Sequence, residues 1–163
     1  MNRYIYCSAF WLILFTGYLN AQTTTIPDTN FEQALIDLGI DSDGVINNSV
    51  FTSDVASVSS LNVSGRGIMQ LTGIEDFIRL SELYCQDNLI TSLTLSSNSK
   101  LTILDCSEND LSSLKLTELV DLKILKCSFN KITGFNLSNN KLLEEFHCDH
   151  NLIKTLNLKD NLE

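Results

Sequence analysis

Cys85, Cys106, Cys127 and Cys148 recur every 21 residues, each at the same place in a repeated frame. The frame divides the chain into four consecutive blocks, 80–100, 101–121, 122–142 and 143–163. Leu80, Leu101, Leu122 and Leu143 open the blocks, and Leu83, Leu104, Leu125 and Phe146 stand three residues on. After the cysteines come Asn88, Asn109, Asn130 and Asn151, then Ile90, Leu111, Ile132 and Ile153. Leu93, Leu114, Phe135 and Leu156 follow, then Leu95, Leu116, Leu137 and Leu158, and a last column reads Asn98, Leu119, Asn140 and Asn161. A fixed period of this length forces stacking, because one coil cannot bury its apolar side alone. The chain must be a solenoid.

The spacing inside the block sets the shape of each coil. An apolar–x–apolar triplet puts two side chains on one face of an extended segment, so each block should contribute a short strand. Stacked at fixed period, these strands become parallel neighbours about 4.8 Å apart. Neither half of the block carries a helical stripe, and Ser, Thr and Asn crowd the second half. The expected form is a flattened right-handed coil of the α/β class, mostly β. Short parallel strands line one side, and extended segments or second strands line the other.

The first residues read as an export signal, 1–21. Arg3 gives a positive start, Ala9 to Leu19 is mostly apolar, and Ala21 before Gln22 is small enough for cleavage. The apolar run is shorter than the ~20 residues of a spanning helix, so no membrane span is expected in the mature chain. Residues 22–57 read as an N-terminal cap with a helix over about 28–38. Thr29 with Glu32 fits a capping box, and Asp28 is a rival first cap. Phe31, Ala34, Leu35 and Leu38 share a helical face, and Gly39 sits where a left-handed residue would end the helix. Asp41-Ser42-Asp43-Gly44 with Asn47 has part of a calcium-loop pattern, but its glycine comes too early and the distal Glu is missing. An Asx-rich turn is expected instead. Residues 58–79 form a degenerate first repeat, in which Val58, Leu61, Val63, Ile68 and Leu71 match the apolar columns and Arg66 replaces the asparagine.

The blocks at 80–163, read as L-x2-L-x-C-x2-N-x-[LI]-x2-L-x-L-x2-N, resemble bacterial leucine-rich repeats. More narrowly they are similar to the short 21-residue, internalin-like type in which an L-x2-L-x-L unit occurs twice per repeat. Here the units are Leu80/Leu83/Cys85 and Ile90/Leu93/Leu95, repeated three more times. The likeness is close over 80–163, looser over 58–79, and general over the cap. It implies a leucine-rich-repeat right-handed solenoid and a secreted or surface-exposed binding or adhesion role. It does not dictate that role, since one fold hosts many functions.

Composition narrows the partners. Loss of Arg3 with the signal leaves 10 basic residues against 20 acidic ones, a net charge of −10. That surface repels phosphate backbones, so nucleic acid is not an expected partner. No G-x-S-x-G, H-E-x-x-H or glycine-rich phosphate loop occurs, and Glu82 and Glu145 lie three coils apart, about 14 Å by strand spacing. That is too far for paired glycosidase carboxylates. No catalysis and no cofactor are expected. The asparagine column is expected to satisfy turned-in backbone groups. The cysteines admit three readings: small apolar residues in place of leucine, a disulfide framework, or a metal cluster. Vertical stacking keeps their Cβ atoms near the strand spacing, wider than a disulfide favours, and brings no thiolates together around an ion. Buried small residues are expected, with disulfides open in an exported chain.

The two sides of the coil differ in outward chemistry. One lane reads Glu82, Ile103, Ile124, Glu145, and the next Tyr84, Asp105, Lys126, His147. Beyond them run Gln86, Ser107, Ser128, Asp149 and then Asp87, Glu108, Phe129, His150. The other side offers Ser92, Ser113, Gly134, Thr155 and Thr94, Lys115, Asn136, Asn157. Bulky mixed chemistry on one side points to recognition there, with Tyr84, Ile103, Asp105, Ile124, Lys126, Phe129 and His147 as the expected contact residues for a protein or surface glycan. Scattered exposed apolar residues are also common on surfaces that bind nothing. His147 and Asp149 alternate to one face, but two ligands make too weak a metal site, and none is expected. A third reading takes the chain as a truncated scaffold piece of a longer surface protein: the fourth block has no C-terminal cap after it, and an open end would fray or associate end to end. A secreted hydrolase's accessory module is a further, lesser alternative.

Overall fold

The computed structural model describes residues 21–159 and Asn161. The export signal read at 1–21 lies outside the described residues, apart from Ala21. From the cap onward the elements are β1 (Thr23–Thr25), α1 (Thr29–Asp37), β2 (Ser49–Phe51), α2 (Thr52–Val55) and β3 (Ser60–Asn62). A 3-10 turn at Ile74–Asp76 follows, then β4 (Glu82–Tyr84), β5 (Ile103–Asp105), β6 (Ile124–Lys126) and β7 (Glu145–His147). Strands β3 to β7 form one parallel sheet in chain order. The architecture is a parallel β-solenoid closed at its N-terminal end by a helix and a two-stranded antiparallel sheet.

The repeat frame becomes the register of the sheet. Leu83, Leu104, Leu125 and Phe146 stand opposite one another, one per strand, and Leu61 of the degenerate repeat heads the row through a 22-residue step. The inward columns are almost fully buried through the third block: Leu80, Leu83, Cys85, Ile90, Leu101, Leu104, Cys106, Leu111, Leu122, Leu125, Cys127 and Ile132 are all inaccessible. In the fourth block the same columns open. Leu143, Phe146, Cys148 and Leu158 are only partly buried, because β7 has a neighbour on one edge alone among the described residues.

The second half of each coil departs from the first. It forms no strand among the described residues, although second strands were one of the two forms expected there. Successive coils share one backbone bond just after each asparagine: Leu89 N–H to Ile68 O, Asp110 to Ile90, Lys131 to Leu111 and Leu152 to Ile132, each 2.9 Å. Further round, side chains take over. Asn140 Nδ2 donates to Leu116 O at 3.0 Å and to Leu119 O at 2.7 Å, tying one coil to the preceding one. Leu119 breaks this asparagine column and is buried instead.

The cap is built differently from the expected capping box. Asp28, not Thr29, is the N-cap: its Oδ1 accepts from Asn30 and Phe31 N–H, both at 3.0 Å. Its other oxygen accepts from Met69 N–H at 2.8 Å and Gln70 N–H at 3.1 Å, so one carboxylate caps the helix and holds the first coil. Glu32 is fully buried and turns away from the helix start to accept from the backbone of Asn47, Asn48 and Ser49 at 2.8–3.1 Å. Leu38 was expected on the buried face but is 44% exposed, because the helix ends there and Gly39 at φ +67° redirects the chain. Ile40 packs against the core in its place. Phe31 stacks on Phe77, with ring centroids 6.3 Å apart, and so joins cap to solenoid.

Two other cap features matter. Asp43 N–H bonds Asp41 Oδ1 at 3.3 Å, Val45 N–H bonds Asp43 Oδ1 at 2.9 Å, and Gly44 lies at φ +66°, which makes the segment an Asx turn. Gly73 has φ +99°, and a Cβ there would meet Ile26 Cδ1 at 2.4 Å and Thr25 O at 2.6 Å. The cap can press this closely on the first coil only because that residue has no side chain.

Candidate binding surface

Three-residue strands have one inward and two outward side chains each, and the register lines the outward ones into two rows. The first row is Ser60, Glu82, Ile103, Ile124 and Glu145, and the second is Asn62, Tyr84, Asp105, Lys126 and His147. Six of the seven expected contact residues therefore share one sheet face. Phe129 does not. It lies beyond β6 at the corner where the chain turns inward, half exposed, with its ring stacked on His150 at a centroid distance of 4.1 Å. Sequence reasoning missed Ser60 and Asn62, although Leu61 and Val63 repeat the same alternation and place both residues outward.

The corner is unusual in its backbone. Asp87, Glu108, Phe129 and His150 all adopt left-handed φ values of 53–57°. Non-glycine residues pay on the order of 1 kcal/mol for that conformation. The neighbouring asparagine makes it hold. Asn109 Nδ2 donates to the carbonyls of Cys85, Cys106 and Ser107 at 3.0–3.2 Å, and its Oδ1 accepts from Ile90 N–H at 2.9 Å. Asn88, Asn130 and Asn151 repeat the pattern, each bridging its own coil and the one before.

Ion pairs organise the C-terminal part of the face. Lys126 Nζ lies 3.2 Å from Glu145 Oε1, and His147 Nε2 lies 2.9 Å from the same oxygen. The bond from Lys126 is the main cause holding the Glu145 carboxyl below its usual range. Asp149 accepts from the Ser128 hydroxyl and pairs with His150 at 2.8 Å, and both contacts lower its pKa, Ser128 the more. His147 and Asp149 thus engage different partners and do not converge as the alternation had allowed. Among the described residues no group of three or more His, Cys, Asp or Glu side chains is arranged to hold a metal ion.

Behind the strands the cysteines form a column of free thiols, three of them buried. Burial raises each thiol's pKa: that of Cys127 is pushed up to about 12, and those of Cys85 and Cys106 lie far above the ordinary thiol range. Such thiols are protonated and inert at neutral pH, which fits small apolar residues replacing leucine.

A parallel solenoid with an asparagine ladder at its turn and a strand face left open among the described residues defines a leucine-rich-repeat protein. No family model and no curated protein matches the sequence. Solved structures do match. The chain is similar to the functional domain of InlJ from Listeria monocytogenes, described as including a cysteine ladder, with 32% identity and a TM-score of 0.78 over 86% of this chain. It spans only 32% of that InlJ chain. At 21% identity, the internalin InlF of Listeria monocytogenes (TM-score 0.62, 80% of this chain and 46% of that one) shares the fold. So does the leucine-rich-repeat domain of APL1B (TM-score 0.59, 66% of this chain and 35% of that one). The chain is an internalin-like leucine-rich-repeat protein.

Proposed function

We propose that this chain is an exported, non-catalytic module that attaches to a protein or a surface glycan through the outer face of its five-stranded sheet. What supports this most is the contrast between the two sides of the coil. The strand side sets Tyr84, Ile103 and Ile124 among charged residues in continuous rows, whereas the opposite side carries Ser92, Thr94, Ser113 and Gly134. Buried aromatic and branched anchors inside a polar rim are how interfaces gain affinity. Likeness to a bacterial domain with a cysteine ladder supports a binding role, and Arg3 with the apolar stretch at 9–19 supports export. No helix among the described residues is long and apolar enough to cross a membrane.

The test replaces Tyr84, Ile103, Asp105, Ile124, Lys126, Phe129 and His147 together and measures attachment to candidate cell and envelope surfaces. Attachment should be lost while circular dichroism stays unchanged. Retained attachment, with loss on altering Ser92, Thr94 and Ser113, would move the contact surface to the other side.

A further inference from the structure

Among the described residues, every lysine on strands β5–β7, directly before them or on the turn after them is already engaged by an acid. Lys123 pairs with Glu144, Lys126 with Glu145 and Lys131 with Asp110, and the rings of His147 and His150 meet Glu145 and Asp149. Toward the N-terminal end, two carboxylates on the sheet face, Glu82 and Asp105, and two at the corner beside it, Asp87 and Glu108, have no ion pair among the described residues. Lys126 stands directly opposite Asp105 in the sheet, yet its ammonium goes to Glu145 and leaves Asp105 open. Among the described residues, the Asp105 carboxylate accepts only from Ser107 N–H at 3.1 Å, and that of Glu82 only from the Ser60 hydroxyl at 3.0 Å. Asp87 and Glu108 occupy the same corner position in adjacent coils, where like charges repel one another. Between these carboxylates lie Tyr84 and Ile103, part-exposed on the outer face of the sheet.

We infer that this N-terminal half of the face takes a cationic protein segment, one presenting lysine or arginine beside an apolar side chain. The inference rests on the sheet face being the contact surface. Arginine and lysine would pair with carboxylates that have no cation beside them among the described residues, and an apolar side chain would cover Ile103 and Tyr84. An acidic glycan is repelled here, and a neutral one has no use for four unpaired charges. The C-terminal half, where charges are internally matched, contributes packing through Ile124 and little charge.

The test titrates the isotope-labelled chain 22–163 with three synthetic probes: a peptide of alternating leucine and lysine, its leucine–glutamate counterpart, and a neutral oligosaccharide. The leucine–lysine peptide should shift the amide signals of β4 and β5. Its affinity should fall about tenfold in the Asp105→Asn/Glu108→Gln double variant and again in Ile103→Ser, each checked for an unchanged melting temperature. Changing the remote acids with Asp54→Asn/Glu75→Gln should leave it within about twofold. An equal loss from the remote pair would reduce the binding to diffuse attraction by an acidic chain and overturn the inference. Binding of the glutamate peptide or the oligosaccharide to β4–β6, without the lysine peptide, would overturn the cationic partner and leave the face standing. Lysine-peptide shifts confined to another surface would remove both.

Discussion

Asn109 ties two coils together, because its amide closes four hydrogen bonds across them. Asn109→Ala should lower stability by about 1–3 kcal/mol in chemical denaturation, through groups left buried and unpaired. Asn109→Asp should cost more, since a carboxylate faces three carbonyls it cannot donate to. Asp41 is a residue of the opposite kind. It is buried, its Oδ2 has no hydrogen-bond partner, and burial, with the charge of Asp43 nearby, raises its pKa from the ordinary 3.8. A raised folded-state pKa gives stability that is full below that ordinary value and lost as pH climbs through the higher one. Asp41→Asn should therefore melt higher than the parent at neutral pH, by about 1 kcal/mol, with the gap closing on acidification below pH 3.8. The asparagine column was legible because it repeats. Glu32 was not, because its partners at Asn47, Asn48 and Ser49 are brought close only by the folded cap, and the burial of Asp41 depends on that same packing although its turn bond to Asp43 is local.

At the scale of elements, the strands and the helix followed from local pattern, whereas the small sheet of β1 and β2 went unread. Thr23–Thr25 alternates burial about Thr24, whose hydroxyl bonds Asp76 at 2.6 Å and Thr52 at 3.0 Å. Three consecutive β-branched residues were a usable strand signal, but three polar hydroxyls gave no hint of a buried face. The helix start was ambiguous for a related reason. A capping box and an Asp cap look alike in sequence, and the bonds from Met69 and Gln70 to Asp28 decide between them. The cap's seating on the first coil can be tested at Gly73. Gly73→Ala should destabilise by roughly 2–4 kcal/mol, combining an unfavourable positive φ with a clash against Ile26 and Thr25. Thermal melts would show it. An unchanged melting temperature would mean that the cap sits farther from the solenoid than described.

For the whole molecule, stacking grades the environment along the axis. The columns are tightest in the first three blocks and loosen in the fourth, so thiol accessibility follows the same order. Native alkylation of chain 22–163 should label Cys148 first and Cys127 later, leaving Cys85 and Cys106 protected until the protein unfolds, as read by mass spectrometry over time. The parallel sheet and its outward rows could be anticipated from the period alone. The charge pairing on that face could not, because it depends on which acid each lysine reaches, and Lys126 passes over its opposite neighbour Asp105 for Glu145.

The unequal tying of the two sides has a mechanical meaning. Strand backbones are laced together at every coil, while past the bond following each asparagine no main-chain bond joins successive coils among the described residues until the next strand. The molecule should therefore behave as a hinged stack. A tug along its axis spreads the rear while the strand side keeps its pitch, and the surface could wrap or flatten against a curved object without losing its register.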